Sequence, residues 1–315
     1  HKDTGKYFEH EHICRDVANR HIAHGSVTNS KRPSQYIEGV YPSHFERGAQ
    51  EYAFDIQGRK YIDFLCGLGT NLFGYTHPAI LSAMQAIMLK GVSLSLGTPT
   101  EAYFAMKFRD KFPHCEKIRI LKTGSEGCLA AIRIARAFTQ RTKILSEGYH
   151  GWGDEFTSLT PPAYGVVPTH EIFKLDDRSV KVEPVAAVIL EPVILDWSED
   201  RRQYLEELRA WCTDVGALLI FDETITAYRF PNYSVARYWG ITPDITIQGK
   251  ALANGMPISV VGGRADVMEG GYFVSSTFAG EQLTLAAAIE CVNLISNEYN
   301  PERLWEAGTE FIDRM

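Results

Sequence analysis

The sequence contains no long apolar run: stretches such as "VAAVIL" (185–190) fall far short of the roughly 20 residues that span a bilayer, so no membrane helix is expected. Lysine and arginine are nowhere concentrated. The formal charge of −7 is spread along the chain, and the basic footprint of a nucleic-acid-binding protein is missing. The cysteines, at 14, 66, 115, 128, 212 and 291, form no CxxC or other framework spacing, and the opening "HKDTGKYFEHEH" lacks the apolar core of a secretion signal. Both absences fit a reducing cytoplasm. "EHEHIC", with His10, His12 and Cys14, and with His21 and His24 nearby, has no matching ligand set elsewhere, so no metal site is assigned. There is no "GxxxxGK[ST]" phosphate loop, and "GLGTNLFG" (67–74) has the wrong glycine spacing for a dinucleotide site. Internal repeats and low-complexity tracts are also absent.

What is present suits a large core. With 315 residues, 45% of them hydrophobic, the chain can form one large domain and a smaller one. Residues 1–65 read as a helix, "CRDVANRHIA", a turn-rich loop, "GSVTNSKRPS", and a small antiparallel sheet in "HFERGAQEYAFDIQGRKYIDF", its strands separated by turns at "RGAQ" and "QG". From about residue 75 helices alternate with short β-branched runs. "HPAILSAMQAIMLKG", "TEAYFAMKFRDKF", "EGCLAAIRIARAFTQ" and "RQYLEELRAWCTDVG" are helical, the third with Cys128, Ala131, Ile132, Ala135 and Phe138 on one face. "KIRIL", "TKIL", "VAAVIL", "ALLIF" and "ITIQ" are strands without polar alternation. That pattern predicts an α/β fold with a mostly parallel sheet covered by helices on both faces.

In such a sheet ligands collect beyond the carboxyl ends of the strands, and each of these strands ends in candidate chemistry. "KIRIL" runs into Lys122 and "TGSEG", where Gly124 and Ser125 open a helix whose free N–H groups and dipole suit a phosphate. The same stretch also reads as an ordinary capped helix with Ser125 as N-cap. "ITIQ" ends in Gly249 and Lys250, a lysine placed for Schiff-base chemistry as a neutral amine or, alternatively, a solvated helix-start lysine. "ALLIF" sets down Asp222 and Glu223 side by side. Asp222 there could hold the ring nitrogen of an aromatic cofactor protonated, or form a salt bridge with a local arginine such as Arg229. Tyr149, in "EGYHGW", offers an aromatic face. Together these are the requirements of pyridoxal 5′-phosphate.

"TGSEGCLAAIRIARA", "EGYHGWGD", "VILEPV", "GALLIFDETITAYR", "GITPDITIQGKALANGMPISVVGGRADVM" and "SSTFAGEQLTLAAA", in this order, resemble the class III pyridoxal-phosphate aminotransferases, with the glutamate-1-semialdehyde 2,1-aminomutase type as the nearest branch. The resemblance covers residues 28 to 290 and implies the fold type I architecture of pyridoxal-phosphate enzymes. It divides the chain into an N-terminal segment (1–65), a large cofactor-binding domain (66–290) and the start of a C-terminal domain (291–315) that looks truncated. It implies that Lys250 forms the Schiff base with the cofactor, that Asp222 pairs with the pyridine nitrogen, and that Tyr149 stacks on the ring. Gly124 and Ser125 hold the phosphate in this reading. Thr277 reaches the phosphate of a neighbouring subunit, which makes the protein a homodimer with sites at the interface. Glu191 and His150 support the site, and Glu223 and Arg32 lie near the substrate. Arg32 is one place off an ungapped match to the aminomutase's carboxylate-binding arginine, and Leu68 stands where that enzyme has tryptophan. These two positions favour an aminotransferase, with a small-molecule amino donor such as glutamate and a carbonyl acceptor, over the aminomutase. A noncatalytic protein of the same fold is the remaining alternative.

Overall fold

The computed structural model describes residues 10–37, 40–157, 165–167, 170–176 and 184–315, and the chain divides into two units at residues 81 and 82. In the N-terminal unit, helix α1 (Glu11–His21) precedes three short 3-10 turns and an antiparallel sheet of β1 (Phe45–Ala49), β2 (Tyr52–Asp55) and β3 (Lys60–Ile62). The expected "QG" turn is fixed by one carboxylate. Asp55 is fully buried and accepts the backbone N–H groups of Gln57 (3.0 Å) and Arg59 (2.8 Å) and the Tyr61 hydroxyl (3.0 Å), which closes the β2–β3 hairpin. "RGAQ" is not a turn as expected. β1 runs through Ala49, and the chain reverses only at Gln50, whose φ is +52°. A short helix α2 (Cys66–Gly69) follows, α3 (Pro78–Met88) carries the chain past the division, and α4 (Pro99–Lys111) and the short α6 (Asp154–Thr157) come later in the chain.

The larger unit holds a seven-stranded sheet in the order β4-β10-β9-β8-β7-β5-β6. Its strands are β4 (Lys117–Leu121), β5 (Lys143–Glu147), β6 (Ile172–Lys174), β7 (Val185–Leu190), β8 (Leu218–Asp222), β9 (Ile245–Gly249) and β10 (Ser259–Gly263). β10 alone is antiparallel to its neighbours; the other pairings are parallel. Register brings the carboxyl ends level: Ser259 pairs with both Leu121 and Gly249, Ile247 with Asp222, Phe221 with Leu190, and Leu190 with Glu147. One edge therefore collects the segments after β4, β9, β8, β7 and β5.

Alternation along the strands decides what each face meets. Ala187, Ile189, Leu218, Ile220, Ile245 and Ile247 pack under α5 (Gly124–Thr139), whereas Val188, Leu190, Leu219 and Phe221 pack against Leu205, Leu208 and Cys212 of α7 (Glu199–Val215). β7 and β8 are buried at every position, which is why they carry no polar alternation; β9 is buried throughout as well, and its Thr246 and Gln248 are hydrogen-bonded to His114 and Tyr228. On α5 the expected apolar face is found except at Phe138, which is 38% exposed and lies beneath the Arg264 guanidinium, 5.8 Å from its ring centroid.

Gly127 explains how closely α5 sits on the sheet. A methyl group there would lie 2.3 Å from Ser259 Oγ and 2.9 Å from Ile247 Cγ2. We expect Gly127→Ala to lose about 1–3 kcal/mol in urea unfolding, with part of the loss recovered by adding Ser259→Ala; full stability of the single variant would refute this packing account.

Candidate active site

β8 ends in two adjacent carboxylates, and the period-two alternation sends them to opposite faces of the sheet. Asp222 continues the face of Leu218 and Ile220 towards α5, where Cys128 Sγ donates to its Oδ2 over 3.2 Å. Glu223 turns to the other side and is fully buried. Its carboxylate accepts the N–H groups of Val235 (2.7 Å) and Ala236 (3.2 Å), the first residues of helix α8 (Val235–Trp239), and the Thr226 hydroxyl (3.0 Å). Expected near the substrate, Glu223 is instead spent on positioning this helix.

Burial pushes the Glu223 carboxyl up to about 7, the N–H donors of α8 and the Thr226 hydroxyl notwithstanding. Between about pH 4.5 and 7 the folded chain thus retains a proton that the unfolded chain has lost, and stability falls as pH rises through this range. We expect a loss of about 3 kcal/mol in the wild type, absent in Glu223→Gln. Urea melts at pH 5 and pH 8 measure it, and equal slopes in the two proteins would contradict it.

The partner of Asp222 is His150 rather than Arg229. His150 Nδ1 lies 2.8 Å from Asp222 Oδ2, and both side chains are buried. Arg229 instead donates to the Ile225 carbonyl at 2.7 Å. The other imidazole nitrogen, Nε2, faces the Glu147 carbonyl at 3.0 Å; because a carbonyl only accepts, Nε2 carries a hydrogen. Burial acts to raise the Asp222 pKa, but the hydrogen bond and charge of His150 and the Thr224 N–H outweigh it and hold the carboxyl below its ordinary range.

The loop after β5 places His150 by clamping it between two glycines. A Cβ on Gly148 (φ +103°) would lie 2.8 Å from Glu191 Oε1, and one on Gly151 (φ +99°) would lie 2.1 Å from Ser125 Oγ. Between them the chain turns His150 inward, 2% exposed, and Tyr149 outward, 70% exposed. Glu191, following β7, accepts the Tyr149 N–H at 2.8 Å and is itself 8% exposed. Burial raises its pKa and the Tyr149 N–H opposes the rise.

At the head of α5 the N-cap is Thr123, not Ser125. Thr123 Oγ1 accepts the Glu126 N–H (3.2 Å), while Glu126 Oε2 accepts the N–H groups of Thr123 and Lys122 (both 2.9 Å). The Ser125 hydroxyl is thereby spared the capping role, and the N–H groups of Gly124 and Ser125 precede the helical ladder. Thr224, passed over in the sequence, stands beside them: a Cβ on Gly124 would lie 3.3 Å from Thr224 Oγ1, a buried hydroxyl without a hydrogen-bond partner among the described residues. Its only sequence signal is its place two residues after Asp222.

Lys250 follows β9 directly, with φ +44° at the start of a 3-10 turn. Burial lowers its pKa and Arg229 adds to the effect, against the opposing charges of Glu191 and Asp222. Thr277 lies exposed on a turn. Arg32 belongs to the N-terminal unit, where its buried Nε has no hydrogen-bond partner. The residue set fits pyridoxal phosphate. An unpartnered Thr224 hydroxyl and free helix N–H groups suit a phosphate, a buried ionised Asp222 suits a ring nitrogen, and a half-buried Lys250 suits an aldehyde.

Fold and site together define an α/β enzyme with its chemistry at the carboxyl edge of the sheet. The family description "Aminotransferase class-III" matches residues 37–315, and the chain belongs to this family of pyridoxal-phosphate-dependent aminotransferases. Three solved structures are similar to it. The FumI protein of Sphingopyxis sp. MTA144, in its PLP internal aldimine form, is 26% identical with a TM-score of 0.87, over 96% of this chain and 76% of that one. The β-phenylalanine aminotransferase of Variovorax paradoxus is 28% identical with a TM-score of 0.80, over 93% and 70%. The ornithine aminotransferase of Toxoplasma gondii ME49 is 25% identical with a TM-score of 0.78, over 89% and 74%. No described helix is long and apolar enough to cross a membrane.

Proposed function

We propose that the chain transfers an amino group from a separate donor, glutamate being the first candidate, to a carbonyl acceptor. The observation that carries this reading is the ionised, buried Asp222 held by His150 on the edge that also presents Lys250 and the head of α5. Pyridoxal phosphate supplies an aldehyde that condenses with amines and a ring that accepts electrons when its nitrogen is protonated. Lys250, whose pKa burial lowers, offers Nζ first as a nucleophile and then as the base that takes and returns the substrate carbon's proton. Asp222 holds the proton on the ring nitrogen. Gly124, Ser125 and Thr224 donate to the phosphate, and Tyr149 offers its exposed ring as a stacking surface.

Glu191 fixes the backbone beneath Tyr149 and so organises the site. The exposed Thr277 is assigned to the phosphate of a second copy, which makes the working form a homodimer with 66–290 as its cofactor-binding body. Arg32 is assigned to the substrate carboxylate. Six free cysteines support a reducing, cytoplasmic setting.

A visible spectrum of the holoenzyme before and after adding glutamate tests the donor. The band should shift to that of the amine form of the cofactor, and addition of a keto acid should restore it. Product formation without any external donor would replace this reading by the aminomutase. Failure to take up the cofactor would leave a noncatalytic protein.

A further inference from the structure

We propose that Cys128 is a positioning residue for Asp222: its thiol donates to the same carboxylate oxygen that His150 holds, fixing the carboxylate so that Oδ1 faces the cofactor. The inference rests on the cofactor reading above for its purpose, but not for its geometry. Cys128 occupies the second turn of α5, one helical turn beyond Gly124, and is 1% exposed. Its Sγ is 3.2 Å from Asp222 Oδ2, within hydrogen-bond reach for sulfur, and His150 Nδ1 is 2.8 Å from the same oxygen. The thiol must be the donor, since an ionised carboxylate only accepts. Burial, followed by the Asp222 charge, raises the Cys128 pKa well above its ordinary value, so the S–H proton stays in place.

The two carboxylate oxygens are consequently unlike. Among the described residues, Oδ2 holds two side-chain donors, whereas Oδ1 accepts the Thr224 N–H, at 3.1 Å, and no other donor. Held by His150 and the Thr224 N–H alone, the carboxylate could still tilt about its Cβ–Cγ bond. The second donor comes from a different element, the helix whose head is assigned to the phosphate, and removes that freedom. It also draws negative charge towards Oδ2, away from the cationic groups at the edge. The groups facing this carboxylate are Cys128 from α5, His150 after β5, Glu191 after β7 and Lys250 after β9, with Arg229 acting on Lys250.

Two measurements test the proposal. The infrared S–H stretching band of Cys128, isolated as the difference between wild type and Cys128→Ala, is read without the cofactor. It should lie below the frequency of a free thiol and rise in Asp222→Asn, whose carboxamide oxygen is a weaker acceptor. A band at the free-thiol frequency that does not respond to Asp222→Asn overturns the geometry, whatever the cofactor does. In the holoenzyme, the pH titration of the visible absorbance should move up by about half a pH unit or more in Cys128→Ala, because a carboxylate with one donor fewer presents more negative charge to the site. Cys128→Ser, which keeps a donor of similar size, should restore the wild-type midpoint. If Cys128→Ala titrates like the wild type, the proposed role is wrong even where the cofactor reading stands.

Discussion

Lys250→Ala should lose at least the ~10²–10⁴-fold that a positioned base contributes, and with it the covalent attachment of the cofactor. The effect is large because one atom serves twice. In the proposed function the Nζ of Lys250 is both the nucleophile that holds the aldehyde and the base that moves the substrate proton. Its site follows from the fold: β9 is buried along its whole length, and the chain leaves it at Gly249 with Lys250 at positive φ, so the side chain begins at the sheet edge. Absorbance would report the lost attachment and a coupled assay the lost turnover. Wild-type turnover in the variant would end the assignment of Lys250. Exogenous amines restoring part of the rate would show that an amine base at this place is what the alanine removed.

Asp222→Asn is expected to reduce kcat on the order of 10²–10³-fold, the scale on which removal of a single charge-stabilising group is felt. A carboxamide cannot hold a proton on a ring nitrogen, and its NH2 group would meet His150 or Thr224 as a second donor. The substitution should also alter stability with a definite pH signature. The Asp222 pKa is depressed in the fold, so its contribution is present above the unfolded value of about 4 and disappears as pH falls through the folded one. Urea unfolding at pH 7 and at pH 3 should therefore show a deficit for the variant at the first pH that narrows at the second. A deficit of the same size at both would mean that the pair contributes by packing and not by charge.

The large unit was legible because β7 and β8 are near-unbroken apolar runs and its helices are periodic. β10 was not, and its glycines show why. Gly262 has no room for a side chain because a Cβ would lie 2.7 Å from that of Cys115, and on Gly263 one would lie 2.3 Å from the Asp244 carbonyl oxygen. Close packing thus selected the residues that make a strand look like a loop. β6, with its three residues, was too short to carry a pattern. In the site, Lys250, Asp222 and Tyr149 could be named from their positions after strands. The division of labour between Asp222 and Glu223 needed the pairing of β8 with β9 and the location of α8, which no local pattern contains. Thr224 and Cys128 escaped for a related reason: an unpartnered hydroxyl and a thiol on a core-facing helical position look like filler until their neighbours are known.

The split of the two carboxylates also bears on how the chain finds its fold. Side chains on a strand change sides with every step, so sliding β8 by one residue would bring Glu223 to the place of Asp222, against Cys128 and His150, or, in the other direction, Asp222 to the place of Glu223, under α8. Either way one acid would meet the donors meant for the other with a side chain wrong by one methylene, and its neighbour would be left without donors of its own. A slip by two residues would restore the sides but draw Thr224 into the ladder. The pair of acids thus acts as a parity check on the central strand, read out by chemistry on one face and by helix docking on the other.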